Sequence, residues 1–497
     1  SLLTLDYPGD RLEIVLVDND STDGSVEYVI ENYPQVRISR NGRNLGFAGG
    51  NNAGAETACG EWLAILNPDT RVQPGWLREL VRPALDDPAV AAVASKMLNW
   101  DGTAVDFGGA AINFMSWGNQ PGIGDDQLAH YDEPGPVIFP CGGAMLVRRD
   151  IFLDAGGFDP NYFAYFEDVD LGWRLWLLGH KVLYAPRAVV YHRHHGSWNG
   201  VADAQRWVLA ERNTLYTVCK NYEEDHLLRI LPATLLLALQ RAFLDVNADP
   251  QQFDLPRLPQ LTTWRYYAYQ FSQLLRDGRL QELGQRATAE LRRRLRRSDD
   301  PPPVTLPEAW QQPQDGGTFQ APAVALSRLL AAQDVRANWG ELMTKRETLQ
   351  ARRQRSDREI FPLFRWALIS NFGNARFIYA MNQVIAKFEL TAIFKYGRDL
   401  PVQDPAVRAL SHKVSLGLLA LMEQAFALSR APEEAFRLGG QPPQGVYAVP
   451  RETVAILAHA NHWLWTLPNG DLPAVLDHLD KQLTQFQQLQ KVNDEQA

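Results

Sequence analysis

The chain has 497 residues, 45% of them hydrophobic and 22% charged, which is too long for one ordinary core and predicts a globular protein of two to four units. Residues 1–200 hold 14 Lys and Arg against 26 Asp and Glu, and the remainder 35 against 32; so acidic a first half excludes a nucleic-acid footprint, and an anionic ligand bound there would need a recruited divalent cation. Cys59, Cys141 and Cys219 share no C-x-x-C spacing, which argues against a disulfide framework or zinc knuckle and fits a reducing cytoplasm.

Residues 12–17 (LEIVLV) form a predicted strand ending at Asp18, after which Ser21 and Asp23 open a helix running toward Ile30. A short strand follows at 36–39, then the glycine-rich turn 44–54 and a helix over 51–58. Residues 61–66 (EWLAIL) read as a strand ending in Asn67-Pro68-Asp69, 74–85 as a helix and 90–97 as a strand. A helix starts at Glu167 and stops at Gly179, and 188–191 is strand-like before His192. Continuous apolar runs predict strands covered on both faces, the mark of a mostly parallel sheet in an α/β domain. Ligands in such sheets bind beyond the carboxyl ends of the strands, where Asp18 and Asp69 fall. Ser1 reads as the tail of a helix, so the true start is expected upstream. No signal peptide is visible.

Helices are expected over 202–220, 226–245, 325–332, 342–355, 375–388, 407–430 and 451–467, with a Pro- and Gly-rich linker at 298–322. The longest apolar stretch, 230–239, falls short of the roughly 20 residues that span a bilayer. The expected organisation is a catalytic domain over 1–225, a helical extension over 226–297, the linker, and a helical domain over 323–497.

Five clusters can carry chemistry. Asp18 at a strand tip can accept from the imide N–H of a uracil or thymine ring, or serve the following turn and helix as a cap. The run from Asn44 to Gly54 lets a backbone approach an anion at a helix start, which places Asn44, Gly46 and Asn51 against a ligand. Asp69 can ligate Mg2+ or Mn2+ and Asn67 can bond a ribose, although an Asn-Pro-Asp turn has the same sequence. Glu167 and Asp168 either simply complement the dipole at a helix start or, following the aromatic approach Tyr162, Phe163, Tyr165 and Phe166, sit in a desolvated setting that raises a carboxyl toward the range of a general base. His192 can supply a second metal ligand, or can simply be a core or surface histidine.

The succession VDNDSTDGS, NLGFAGGNNAG, LNPDT, CGGAMLVRRDIFLDAGGFDPNYFAYFEDVDLGWR and YHRHHGS, over roughly residues 1–220, resembles the second family of inverting glycosyltransferases, in particular bacterial rhamnosyltransferase-like members with a GT-A fold. The resemblance implies a Rossmann-like sheet flanked by helices, followed here by a mainly α-helical C-terminal region. It implies that Asp18 reads the donor's nucleobase. Asn67 and Asp69 occupy the D-x-D position, with Asp69 the metal ligand and His192 a second metal or diphosphate contact. Asp168 takes the place of the catalytic base, beside Glu167. Asn67 replaces the first D-x-D acid, which shifts more of the grip to His192.

The implied reaction moves a hexose, rhamnose first, from a dTDP- or UDP-linked donor to a hydroxyl of a glycan or polyprenyl-linked acceptor in cell-surface polysaccharide synthesis. Its expected setting is the cytoplasm, at the inner face of the plasma membrane. Two other readings stand beside it: a non-catalytic sugar-nucleotide or glycan-binding module on the same fold, and a nucleotidyltransferase. The basic runs 292–297 and 345–358, with the apolar helix 226–245, either hold the protein on an anionic bilayer or are solvated faces and a packed helix.

Overall fold

The computed structural model describes residues 1–193, 203–256, 317–441 and 443–496. The basic run 292–297 and most of the expected extension and linker lie outside them. Two compact units emerge, one comprising Ser1–Gly200, Tyr216–Glu223 and Leu342–Ala367, the other Val201–Leu215, Glu224–Glu341 and Leu368–Ala497.

The first unit is α/β. In chain order it runs β1 (Val15–Asp18), α1 (Ser25–Asn32), β2 (Arg37–Arg40), α2 (Gly46–Thr57), β3 (Trp62–Leu66), β4 (Thr70–Val72), α3 (Trp76–Asp86) and β5 (Val90–Asn99). It continues through β6 (Val105–Phe107), β7 (Ala111–Ile112), β8 (Gly118–Asn119), β9 (Gly135–Pro136), β10 (Ala144–Arg148), α4 (Arg149–Asp154), α5 (Glu167–Leu177) and β11 (Lys181–His192). The main sheet has the order β3-β10-β5-β11-β4, with β6 on β5 and β9 on β11. β1 and β2 form a separate parallel pair.

The sheet is mixed rather than mostly parallel. β11 runs parallel to β5, but β10 is antiparallel to both β3 and β5, and β4 is antiparallel to β11. Continuous apolar runs report burial on two faces and carry no information on strand direction, which is why the expectation went too far. β5 shows the burial: nine of its ten residues, all but Asn99, are buried. Trp76 of α3 is sunk against it and donates its indole N–H to Ser95 Oγ at 2.8 Å.

Three local expectations are corrected. The glycine-rich run does not precede its helix, because α2 begins inside it at Gly46. α1 starts at Ser25 with Gly24 as its cap, and Asp23 serves it only by accepting from Ser25 N at 3.0 Å. The strand before His192 is 12 residues long, with a register shift between Ala185 and Val189 around Pro186, whose ring leaves no N–H for the ladder.

The helix bearing Glu167 and Asp168 is anchored from behind by buried charges. Asp170 bonds Arg174 Nε at 2.8 Å and lies 3.0 Å from Lys220 Nζ, which also reaches Asp159 at 2.7 Å. Lys345 closes on the other oxygen of Asp159 at 2.8 Å. Burial alone would raise the Asp159 carboxyl; the two ammonium groups override it and hold it well below the usual range.

The second unit is helical. α6 (Asp203–Asn221) enters it with residues 203–215, and α7 (Glu224–Val246), α8 (Ala323–Ala337), α11 (Ala375–Lys387), α13 (Pro405–Ser429), α14 (Arg451–Trp465) and α15 (Leu472–Gln496) build its core; between them in the chain come α9 (Trp339–Ala351), α10 (Asp357–Ile360) and α12 (Leu390–Phe394). The end of the expected linker is ordered: β12 (Thr318–Pro322) pairs antiparallel with β13 (Val446–Pro450). Among the described residues, α7 alone is long and apolar enough to cross a membrane, yet 94% of its apolar window is buried within the protein. α7 packs on α8, α11, α13 and α14, as the central helix of a bundle does.

Candidate active site

Every candidate residue but Asn51, which lies in the middle of α2, sits near the end of a strand or the start of a helix. Asp18 closes β1, is buried, and accepts from Ser21 N at 2.8 Å. That backbone bond holds its carboxyl below the usual range and defines a turn around the acid rather than a helix cap. Next to it, Asn19 links β1 to α2: its amide donates to Gly46 O at 2.8 Å and its oxygen accepts from Asn41 at 2.7 Å.

Gly46 has φ +71°, and a Cβ there would lie 2.4 Å from the Phe163 carbonyl oxygen. Only glycine fits so close an approach at that dihedral. Asn44 accepts from Gly46 N at 2.9 Å and Asn51 donates to Phe47 O at 2.9 Å, so both side chains hold local bonds. Asn52, absent from the expected set, grips Phe158 through both its N–H and its carbonyl at 2.9 and 2.7 Å.

Asp168 and Asn67 meet around one turn, Cys141-Gly142-Gly143, which leads into β10. Asp168 Oδ2 accepts from Gly142 N at 2.8 Å, and its Oδ1 from Val169 N at 2.8 Å. On the next residue, Gly143 O accepts from Asn67 N at 2.9 Å, and a Cβ on Gly143 would sit 3.4 Å from the Asn67 amide nitrogen. Asn67 and Asp168, a hundred residues apart, therefore flank adjacent glycines. Burial first, then the charges of Asp168, Asp106 and Glu167, push the Cys141 thiol up.

Asp69 Oδ1 lies 3.4 Å from His192 Nε2, and the two side chains are 11% and 14% exposed. Register sets the meeting, since His192 pairs with Thr70 of β4. On the far nitrogen, His192 Nδ1 lies 2.6 Å from Asp106 Oδ2. Burial disfavours the charged ring, but the bonds to Asp106 and Asp69 prevail and raise it to about 9. A carboxylate oxygen and an imidazole nitrogen 3.4 Å apart fit a divalent cation about 2.1 Å from each.

Glu167 and Asp168 differ sharply. Glu167 is 6% exposed and its Oε2 is buried without a hydrogen-bond partner; burial and then the Asp168 charge raise it well above the usual range. Burial also raises Asp168, but backbone N–H donors from Gly142 and Val169 oppose the shift. Burial thus raises both carboxyls, and the backbone donors on Asp168 leave Glu167 the more strongly raised of the two. Phe163, Tyr165 and Phe166 just before them all have positive φ, from 61° to 71°, the kind of backbone strain that gathers at functional sites.

The sequence pattern of glycosyl transferase family 2 matches residues 1–155. An N-acetylglucosaminyl-diphospho-decaprenol L-rhamnosyltransferase of Mycobacterium tuberculosis is 31% identical over 211 residues, 37% of this chain and 68% of that protein. The O-antigen biosynthesis protein RfbC of Myxococcus xanthus is 28% identical over 213 residues, 41% of this chain and 16% of that protein. Among solved structures, a mannosyltransferase of Pyrobaculum calidifontis in complex with GDP-Man and Mn2+ has a TM-score of 0.32 and 19% identity over 44% of this chain. The chain spans 57% of that structure's length, and 39% of the Staphylococcus aureus TarS structure, with a TM-score of 0.33, 17% identity and 47% of this chain covered. The fold is a mixed α/β domain followed by a helical region. The chain belongs to glycosyl transferase family 2.

Proposed function

We propose that this chain transfers a hexose, rhamnose first, from a dTDP- or UDP-linked donor to a hydroxyl of a glycan or lipid-linked acceptor, with inversion at the anomeric carbon. One observation carries the reading: Asp168, accepting from Gly142 N, and Asn67, beside Gly143, flank one turn. In this reading Asp18 meets the nucleobase, the α2 start at Gly46 faces the diphosphate, and Asn67 meets the ribose.

Asp168 accepts the proton of the acceptor hydroxyl as that oxygen attacks the anomeric carbon. The bond from that carbon to the phosphate oxygen breaks, and the nucleotide diphosphate leaves with the electron pair. Asp69 and His192 would hold Mg2+ or Mn2+, whose charge offsets that developing on the leaving diphosphate. The mycobacterial relative's name, a transferase of rhamnose to a decaprenol-linked sugar, supports that donor and a polyprenyl-linked acceptor, which would bring the enzyme to a membrane surface.

The test is a panel of dTDP-, UDP- and GDP-sugars screened for thermal stabilisation with and without Mn2+, followed by transfer assays and NMR of the product's anomeric centre. A ligand at 100 times its Kd adds about 2.7 kcal/mol to the native state. Stabilisation by dTDP-rhamnose that chelator removes, with inverted product, is expected. Retention of configuration, or no response to any nucleotide sugar, overturns the proposal.

A further inference from the structure

One buried carboxylate outside every sequence motif touches the proposed cation grip. Asp106 is the middle residue of β6, between buried Val105 and Phe107, and is itself 4% exposed. Its Oδ2 lies 2.6 Å from His192 Nδ1, whereas Asp69 faces Nε2. The two nitrogens of an imidazole point to opposite sides of the ring. Asp106 and Asp69 therefore cannot both reach one ion with His192 between them; Asp106 stands behind the ring.

A carboxylate in that place accepts from Nδ1–H, which leaves the lone pair on Nε2, fixes the ring plane and raises the basicity of the free nitrogen. We propose that Asp106 is a positioning residue that holds His192 so that Nε2 and Asp69 Oδ1 converge on a single divalent cation. The inference rests on the cation reading above and adds to it the residue that orients the ligand. It also explains why an acid occupies the middle of an otherwise apolar strand. If Asp106 merely tied β6 to β11, its removal would lower stability and leave cation affinity alone.

The experiment is a titration of the full chain with Mn2+ alone, followed by the EPR signal of the free ion. Wild type binds, and both Asp69→Ala and His192→Ala weaken binding. Asp106→Ala lowers affinity by about 10- to 100-fold, the usual loss when such an outer partner is removed. Asp106→Asn, which keeps shape and an acceptor oxygen, loses less and carries the test if the alanine variant does not fold. In a His192→Ala background, removing the Asp106 carboxylate has no further effect, because Asp106 acts through that ring. Wild-type affinity in Asp106→Asn and Asp106→Ala overturns the role, as do losses that simply add to that of His192→Ala. A wild-type chain that ignores Mn2+ instead overturns the cation reading itself.

Discussion

Glu167 and Asp168 are neighbours in the chain, yet their hydrogen-bonding surroundings differ. The first lacks a partner for a buried oxygen, and the second accepts from two backbone N–H groups. Asp168→Asn is therefore expected to retain nucleotide binding and lose about 10²- to 10⁴-fold in turnover, read as kcat beside a nucleotide Kd. Near-normal turnover would remove Asp168 from its role. For Glu167 the sign follows from its raised value. Below the ordinary 4.5 both folded and unfolded chains hold the proton. Above 4.5 the unfolded chain releases it and the folded chain does not, so stability falls with pH by about 1.4 kcal/mol per unit until the folded value is reached. Glu167→Gln has no proton to release, so it should gain stability over wild type above pH 4.5 and none below; denaturation at pH 4 and pH 7 decides. Asp69, Asp168 and His192 are legible in the sequence because each sits in a recurring motif. Asp106 is not, since Val-Asp-Phe in a strand carries no such mark; its only trace is a charge inside an apolar run.

At the scale of elements, the start of α2 and the aromatic segment before α5 hold each other. Gly46 approaches the Phe163 carbonyl, Phe163 O accepts from Ala48 N at 3.0 Å, and the Phe47 ring lies 3.1 Å from where a Cβ on Gly142 would be. Gly46→Ala is expected to destabilise the fold by about 1–3 kcal/mol or more, since positive φ and a backbone clash coincide, and to reduce transfer by shifting the segment that leads into Glu167. Gly24→Ala is the control, having φ +79° but nothing within 4 Å of the added carbon. Equal effects of the two on chemical denaturation would refute the coupling. Strand and helix positions were largely readable from apolar periodicity. The direction of β10 was not, because pairing partners far apart in sequence leave no local signal. The early start of α2 was hidden by glycines, which in isolation disfavour helix and here are used for close packing.

Across the whole molecule, the helical unit raises the question of whether α7 meets lipid. Its apolar window is buried and Leu235 is 0% exposed. Leu235→Asp should therefore unfold the helical unit, as an unpaired charge in a core does, seen as loss of far-UV circular dichroism at a lower denaturant concentration. A folded variant with weakened vesicle binding would instead identify α7 as a lipid contact. The helical character of this half could be read from its periodicity, but the sequence gives no hint that residues 342–367 return to the α/β unit.

That return governs how the protein can be taken apart. Lys345 neutralises Asp159, Arg346 donates to the carbonyls of Cys219 and Tyr222 at 2.8 and 2.6 Å, and Arg365 bridges to Ile112. A gene shortened after residue 225 would discard both the Lys345 and Arg346 side chains and the backbone bridge at Arg365 while keeping every acid proposed for the chemistry. Exchanging donor preference with a relative would accordingly require transplanting two separate stretches of sequence, and single-crossover hybrids should emerge insoluble.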